Sequence, residues 1–179
     1  MNPADPSGEK NQVRAAISAN SAVKGFVWRQ AESLPEIASI RELFLEYANS
    51  LGFSLCFQSF DEELARLPGD YAAPQGRLLL ATQEGVAAGC VALHPLADGI
   101  CEMKRLYVRP QFRGQGLGKQ LAEQIIREAR AIGYTQLRLD TVEPIMGEAV
   151  AMYRKMGFRE IAPYRPNPIE GALYMELTL

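Results

Sequence analysis

Apolar residues recur along the chain with two different spacings, which separate predicted helices from predicted strands. Steps of three and four residues, typical of one helix face, predict helices at 34–51 and 117–132. Capping and stop residues predict two more, at 62–67 after Asp61 and at 147–156 before Gly157. Short apolar runs bounded by turn residues predict strands at 26–31, 77–82, 86–93, 100–108, 136–141, 158–162 and 172–179. The order of these elements predicts an α/β protein with one mixed sheet.

The predicted elements fill the chain from residue 25 to its end. A chain of 179 residues can bury one sizeable core, so 25–179 is predicted to be a single domain. Residues 1–24 are polar, contain Pro3, Pro6 and Gly8 and lack an apolar stretch, which predicts a mobile tail rather than a secretion signal.

Composition excludes several classes of partner. The formal net charge of −2 argues against a general nucleic-acid binder, and no apolar run is long enough to span a membrane. The three cysteines form no CxxC pair, so we expect neither a disulfide framework nor a metal site. Cys90 and Cys101 lie in apolar strands and are predicted to be core residues, which fits a reducing compartment such as the cytoplasm.

A glycine-rich segment, Arg113 to Lys119, joins a predicted strand to a predicted amphipathic helix. Glycines let the backbone approach a ligand, and the unpaired amides at a helix N-terminus attract anions, so the segment predicts a phosphate or pyrophosphate site. A tight connection without a ligand is the alternative. The GxxxxGK[ST] pattern is absent, and the preceding strands look antiparallel, which disfavours a nucleotide-binding P-loop or dinucleotide fold.

Two segments together resemble a known family. The sequence KRLYVRPQFRGQGLG at 104–118 is similar to the acetyl-CoA motif of the GNAT superfamily of N-acetyltransferases, and AVAMYRKMGF at 149–158 is similar to a second motif of that family. The resemblance implies a single-domain GNAT-like α/β fold with a central, mixed and mostly antiparallel sheet. About four helices flank the sheet, and two strands splay apart at the cofactor site.

The resemblance also implies where acetyl-CoA binds. Backbone amides of the glycine-rich loop would hold the pyrophosphate, and the strand before it would pair with the pantetheine arm. The implied cofactor-binding residues are Leu106, Tyr107, Val108, Arg113, Gly114, Gln115, Gly116, Leu117, Gly118 and Lys119. The strand of Leu106 would bend away from that of Leu139, and its irregular alternation hints at a β-bulge.

Two residues are candidate catalytic groups. The resemblance implies that Tyr153 donates a proton to the departing CoA thiolate; a core tyrosine is the alternative. It also suggests Glu102 as the base that accepts the amine proton; an exposed carboxylate balancing Lys104 or Arg105 is the alternative. Asp140 is the competing base, although it could instead cap the following turn.

Other polar and aromatic residues have weaker assignments. His94, the only histidine, is predicted to be a turn or surface residue rather than a base, and Lys104 with Arg105 is predicted to form a charged surface. Phe53, Phe57 and Phe60 would belong to the core or wall the acceptor pocket. The Pro-rich loop, Pro163 to Gly171, offers Tyr164, Arg165 and Asn167 as acceptor contacts, unless it is only an ordered surface loop.

These features predict an enzyme that moves an acetyl group from acetyl-CoA to a primary amine. The acceptor would be a small molecule or a peptide, with no metal taking part. A non-catalytic acyl-CoA-binding or sensor domain is the alternative. The resemblance further suggests a homodimer, which is common in the family.

Overall fold

One eight-stranded sheet organises the chain in the computed structural model, which describes residues 21–23 and 25–179. The strands are β1 (Ser21–Val23), β2 (Phe26–Gln30), β3 (Arg77–Gln83), β4 (Val86–Ala97), β5 (Ile100–Val108), β6 (Gln136–Val142), β7 (Arg159–Ile161) and β8 (Ala172–Thr178). They lie side by side in the order β1-β2-β3-β4-β5-β6-β8-β7. Among the described strands only the neighbours β5 and β6 are parallel, which confirms the predicted mixed and mostly antiparallel sheet.

Four α-helices cover the two faces of the sheet: α1 (Leu34–Ser50), α2 (Phe60–Arg66), α3 (Leu117–Ile132) and α4 (Glu143–Lys155). One core contains Ile40 and Phe44 of α1 together with Phe60 of α2. The other contains the apolar stripe of α3 and Tyr153 of α4. Because each amphipathic helix buries one face against the sheet, the two cores lie on opposite sides of it.

Some element boundaries differ from those predicted. Residues 21–23 belong to the predicted tail, yet they form the strand β1, which pairs with β2. Residues 1–20 and 24 lie outside the described residues, so the mobile tail stays a prediction for them. Helix α4 begins at Glu143 and is interrupted at Met146, whose backbone is not helical. No helix in the described part of the chain is long and apolar enough to cross a membrane.

The parallel pair β5–β6 is joined over only part of its length. The two strands pair at three positions, from Ile100 opposite Gln136 to Glu102 opposite Arg138. Beyond that point β5 remains paired with β4, and β6 remains paired with β8. A wedge-shaped gap therefore opens between them, which confirms the splay that the resemblance implied.

A β-bulge lies in β5 beside this gap. Cys90 of β4 faces Tyr107, whereas Ala92 faces Lys104, so β5 carries an extra residue between them. The backbone of Arg105 accommodates this extra residue with a φ of 57°, in the left-handed region. The bulge breaks the alternation: Leu106 packs towards α3 and α4, while Arg105 is buried against α1 and α2.

Candidate active site

A cavity of about 790 Å³ occupies the gap between β5 and β6. At one end it is lined by Val108, Arg113 and Gly118, where β5 leads into α3. At the other end it is lined by residues of α1, the segment after it and the Pro-rich loop, including Tyr47, Phe53, Leu55, Gln58 and Asn167. The cavity thus connects the glycine-rich loop to a polar chamber near the apex of the gap.

The glycine-rich loop presents the N-terminus of α3 without a side-chain cap. Gly114 and Gly116 have φ values of 75° and 81°, and Gly116 is the N-cap. The Nε atom of Arg113 donates to the carbonyl oxygen of Val108 at 3.0 Å, which ties the loop to β5. Because no side chain caps the first amides of α3, they remain free to bind an anion, so the loop fits a phosphate group.

The implied cofactor-binding residues occupy three kinds of position. Five line the cavity: Leu106, Tyr107, Val108, Arg113 and Gly118. Gly114, Gln115 and Gly116 form the turn before α3, the side chain of Leu117 is buried in the core, and Lys119 is exposed and pairs with Glu123 at 3.5 Å. Their roles in binding stay predictions.

Beyond Glu102, the edge of β5 that faces β6 has no strand partner among the described residues. Its backbone N–H and C=O groups are therefore available to another partner. An unpaired strand edge pairs readily with an extended chain. The strand is nevertheless fixed, because its opposite edge stays paired with β4. This free edge fits an extended arm bearing amide groups, as the resemblance implied for pantetheine.

Tyr153 faces the cavity from the buried side of α4. It is 6% exposed, and its ring lies 5.5 Å from that of Phe158, centroid to centroid. Burial raises the pKa of the Tyr153 phenol, and the nearby Tyr47 raises it further, so the hydroxyl stays protonated at neutral pH. No described residue forms a hydrogen bond to that hydroxyl, which is therefore available as a donor to a ligand.

The apex of the gap is closed by the guanidinium group of Arg165, from the Pro-rich loop. Its two terminal nitrogens bind both carboxylate oxygens of Glu102 on β5, at 2.9 and 2.8 Å. The same side chain binds Asp140 on β6 at 2.5 Å. Arg165 thus bridges the two strands where they stop pairing.

Glu102 is fully buried and points into this cluster. Its carboxylate accepts hydrogen bonds from Tyr164 at 2.7 Å and lies 2.8 Å from the Nε2 atom of His94. Burial alone would raise the pKa of Glu102, but His94, Lys104, Arg165 and Tyr164 together lower it to about 2. The carboxylate does not line the cavity.

One prediction about this cluster, that for His94, was wrong, and the exposed-carboxylate alternative for Glu102 is excluded. Glu102 is not an exposed carboxylate, and His94 is not a turn or surface residue, since β4 extends through it and its side chain is only 19% exposed. The base role of Glu102 itself stays a prediction. Asp140 does line the cavity, but it also accepts hydrogen bonds from Gln58 and Asn167, each at 3.2 Å.

A second buried ion pair joins the bulge of β5 to α2. Arg105 is 5% exposed and makes a two-point contact with Glu63, at 2.9 Å and 2.5 Å. Burial would raise the pKa of Glu63, but the hydrogen bonds and charge of Arg105 lower it. The predicted charged surface is therefore wrong for Arg105, because the bulge turns its side chain inward.

Gln58 connects the two ion-paired clusters. The oxygen of its side-chain amide accepts a hydrogen bond from Arg105 at 3.0 Å, and the nitrogen of the same amide donates one to Asp140 at 3.2 Å. Neither Gln58 nor Glu63 was predicted to belong to the site. Glu63 lies 42 residues from Arg105 in the sequence, so only the fold brings the two together.

Comparison with known proteins identifies the family of this chain. The sequence profile of the acetyltransferase (GNAT) family matches residues 37–158. The uncharacterized N-acetyltransferase C1271.07c of Schizosaccharomyces pombe is 42% identical over 152 residues, which cover 83% of this chain and 93% of the relative. The chain therefore belongs to the acetyltransferase (GNAT) family, and it is an acetyltransferase rather than a member of an unrelated phosphate-binding fold.

Solved structures share the same fold at low sequence identity. PaiA N-acetyltransferase from Thermoplasma acidophilum, in complex with coenzyme A, matches with a TM-score of 0.65 and 17% identity, over 86% of this chain and 99% of that one. YncA from Salmonella typhimurium, with its cofactor acetyl-CoA, matches with a TM-score of 0.60 and 19% identity, over 86% and 94%.

The first testable consequence concerns the N-cap of α3. Replacing Gly116 with Asp places a negative charge where the pyrophosphate is expected, so acetyl-CoA affinity measured by calorimetry should fall at least about 100-fold, through like-charge repulsion. Gly116→Asn has the same shape without the charge and should lose less. Gly85→Asp is the control, because Gly85 also has a φ of 81° and open space around it. Equal affinity of the Asp variant and the parent would exclude this loop as the pyrophosphate site.

The second concerns acid stability. The pKa of Glu102 is lowered from 4.5 to about 2, so the carboxylate stabilises the fold above pH 5, and this contribution is lost as the pH falls towards 2. At about 1.4 kcal/mol per unit, it amounts to about 3 kcal/mol at neutral pH. Glu102→Gln should therefore be less stable than the parent at pH 7 in urea unfolding, and the difference should shrink by pH 3.5.

The matched control for the acid experiment is Glu160→Gln. Glu160 pairs with Arg154 at the surface, where an ion pair contributes little, so its removal should have a small effect at every pH. A stability difference between Glu102→Gln and the parent that stays constant from pH 7 to pH 3.5 would contradict the ionised, ion-paired state of Glu102.

Proposed function

We propose that the protein transfers the acetyl group of acetyl-CoA to a primary amine by direct attack of the amine on the thioester. The observation that carries the proposal is the gap between β5 and β6. One end of its cavity meets the uncapped amides of α3, and the other meets the polar chamber next to Arg165. A thioester held along the free edge of β5 would lie between the two.

In the proposed reaction, the nitrogen lone pair of the amine adds to the thioester carbonyl, and the C–S bond then breaks. The leaving thiolate takes a proton, for which the Tyr153 hydroxyl is the donor that faces the cavity. Its raised pKa keeps the proton on the phenol until the thiolate forms. The amine nitrogen loses one proton to a base, which passes it on to the phenolate, so the proton balance closes.

The base that takes the amine proton is the open part of the mechanism. Glu102 remains our sequence-based candidate, but its carboxylate lies behind the cavity wall, and a pKa near 2 makes it a weak base. A role for Glu102 therefore requires a relay through water or a neighbouring side chain. Asp140 lines the cavity and could act directly, although Arg165 occupies one of its oxygens.

The decisive test of Tyr153 is its replacement by phenylalanine. The ring and its packing on Phe158 survive, and no described partner of the hydroxyl is lost, so the melting temperature and acetyl-CoA affinity should stay nearly unchanged. Turnover, followed as released thiol in an amine screen, should fall about 10- to 1,000-fold, because the thiolate leaves without a donor.

Tyr134→Phe is the matched control. Its hydroxyl donates to the carbonyl oxygen of Gln75 at 3.0 Å, outside the cavity, so its loss should affect stability slightly and turnover not at all. A turnover of the Tyr153→Phe enzyme within about threefold of the parent would remove Tyr153 from the mechanism, since that difference is under ~1 kcal/mol in the activation barrier.

The sensor alternative is tested on the parent protein. If the parent binds acetyl-CoA but releases no thiol with any amine, the sensor alternative is supported.

The choice of base is tested by Glu102→Gln and Asp140→Asn. Loss of the true base should reduce turnover by about 10²–10⁴-fold while acetyl-CoA still binds, and the acidic limb of the pH–rate profile should disappear. Because both carboxylates bind Arg165, unfolding of each variant is measured alongside. If Asp140→Asn alone shows these losses, Glu102 has only a positioning role.

The homodimer also stays a proposal, which sedimentation of the purified chain would test directly.

A further inference from the structure

The charges that line the cavity do not balance. Lys104, Arg105 and Arg113 are the cations among its described lining residues, and Asp140 and Glu148 are the anions. Arg113 lies at the end towards α3, where it is tied to β5. Glu148 is an exposed residue of α4 that also lines a second pocket beside Lys119 and Arg130 of α3. The polar chamber at the other end therefore contains two adjacent cations and one carboxylate.

The carboxylate in the chamber is already engaged. Asp140 binds Arg165 through one oxygen and accepts from Gln58 and Asn167 through the other. Each side-chain nitrogen of Arg105 likewise donates to a partner, Glu63 or Gln58. An acceptor bearing an additional positive charge would thus find no free carboxylate among the described residues that line this end of the cavity.

Lys104 differs from these groups because none of the described residues pairs with it. Its half-buried side chain lines the cavity, yet its ammonium makes no ion pair or hydrogen bond with any of them. Burial lowers the pKa of Lys104, and the charges of Arg105 and Arg165 lower it further, whereas Glu102 and Glu63 raise it without forming an ion pair with the ammonium. A cation held in this environment gains from an anion that enters the cavity with a ligand.

Lys104 reaches the chamber because of the β-bulge. Met103 packs in the core beneath α3, so the alternation of the strand directs Lys104 towards the opposite face. The bulge then keeps Arg105 on that face as well, instead of returning it to the α3 side. Two consecutive cations therefore adjoin the acceptor end.

We propose that Lys104 binds a carboxylate of the acceptor, and that the acceptor is an amino acid with an apolar side chain. The inference rests on the proposed acetyl transfer and names its substrate class. The apolar part of the acceptor would contact Phe53 and Leu55, which line the same end of the cavity. The ammonium of Lys104 also disfavours a second positive charge nearby, and so favours the neutral form of the acceptor amine that attacks the thioester.

The experiment compares matched acceptors. Leucine, methionine and phenylalanine are each supplied as the free acid, as the primary amide and as the decarboxylated amine, with acetyl-CoA and a thiol readout. The amide loses its ammonium proton more readily than the acid, so reactivity alone favours the amide, and the comparison is biased against the proposal. We expect kcat/KM for the acid to exceed that for its amide by about 10- to 100-fold, the range of a hydrogen bond between charged groups.

Variants of Lys104 test whether its positive charge causes the preference for the acid. Lys104→Met should abolish the preference for the acid, mainly by raising KM, and Lys104→Arg should restore most of it. Lys155→Met is the control, because it removes an exposed lysine that does not line this cavity. If Lys104→Met instead lowers kcat equally for acids and amides, Lys104 acts on the amine proton, and the carboxylate assignment is wrong.

The remaining outcomes separate the two proposals. Turnover of the amides or simple amines at the rate of the acids, or faster, would overturn the carboxylate assignment and leave acetyl transfer to amines standing. Binding of acetyl-CoA without thiol release from any member of the panel would overturn the proposed transfer, and the inference with it.

Discussion

The incomplete pairing of β5 with β6 is the constraint on which the site depends. Both strands keep their outer partners, β4 and β8, so the sheet remains continuous up to the point of separation. Only the inner edges are left unpaired, and these edges line the cavity. Arg165 holds the apex by binding Glu102 on one strand and Asp140 on the other, so the gap has a fixed origin.

The cost of this arrangement is the burial of several charges. Buried ion pairs contribute little net stability unless their remaining hydrogen-bonding groups are satisfied. Here Glu63 accepts from Arg105 and Tyr71, while Glu102 is bound by His94, Tyr164 and Arg165. The network links α2, β4, β5, β6 and the Pro-rich loop, so its main consequence is the relative placement of the elements around the cavity.

The two ends of the cavity differ in what they offer a ligand. The end near α3 provides backbone amides and a free strand edge, which are independent of most side chains. The opposite end is defined by side chains from α1, the segment after it and the Pro-rich loop. This division is consistent with a common cofactor and an acceptor particular to each protein, since backbone sites tolerate sequence change better than side-chain sites.

The sequence by itself determined the order of the elements, the glycine-rich loop and the position of Tyr153, because these depend on local spacing. Periodicity placed α3 at 117–132 and β5 at 100–108, as observed. It could not show that β5 and β6 separate after three pairs, that Arg105 is buried against Glu63, or that Arg165 spans Glu102 and Asp140. Those contacts join residues 25 to 63 positions apart, so only the tertiary structure decided which charges are paired. The same packing placed Lys104 at the cavity without a described partner.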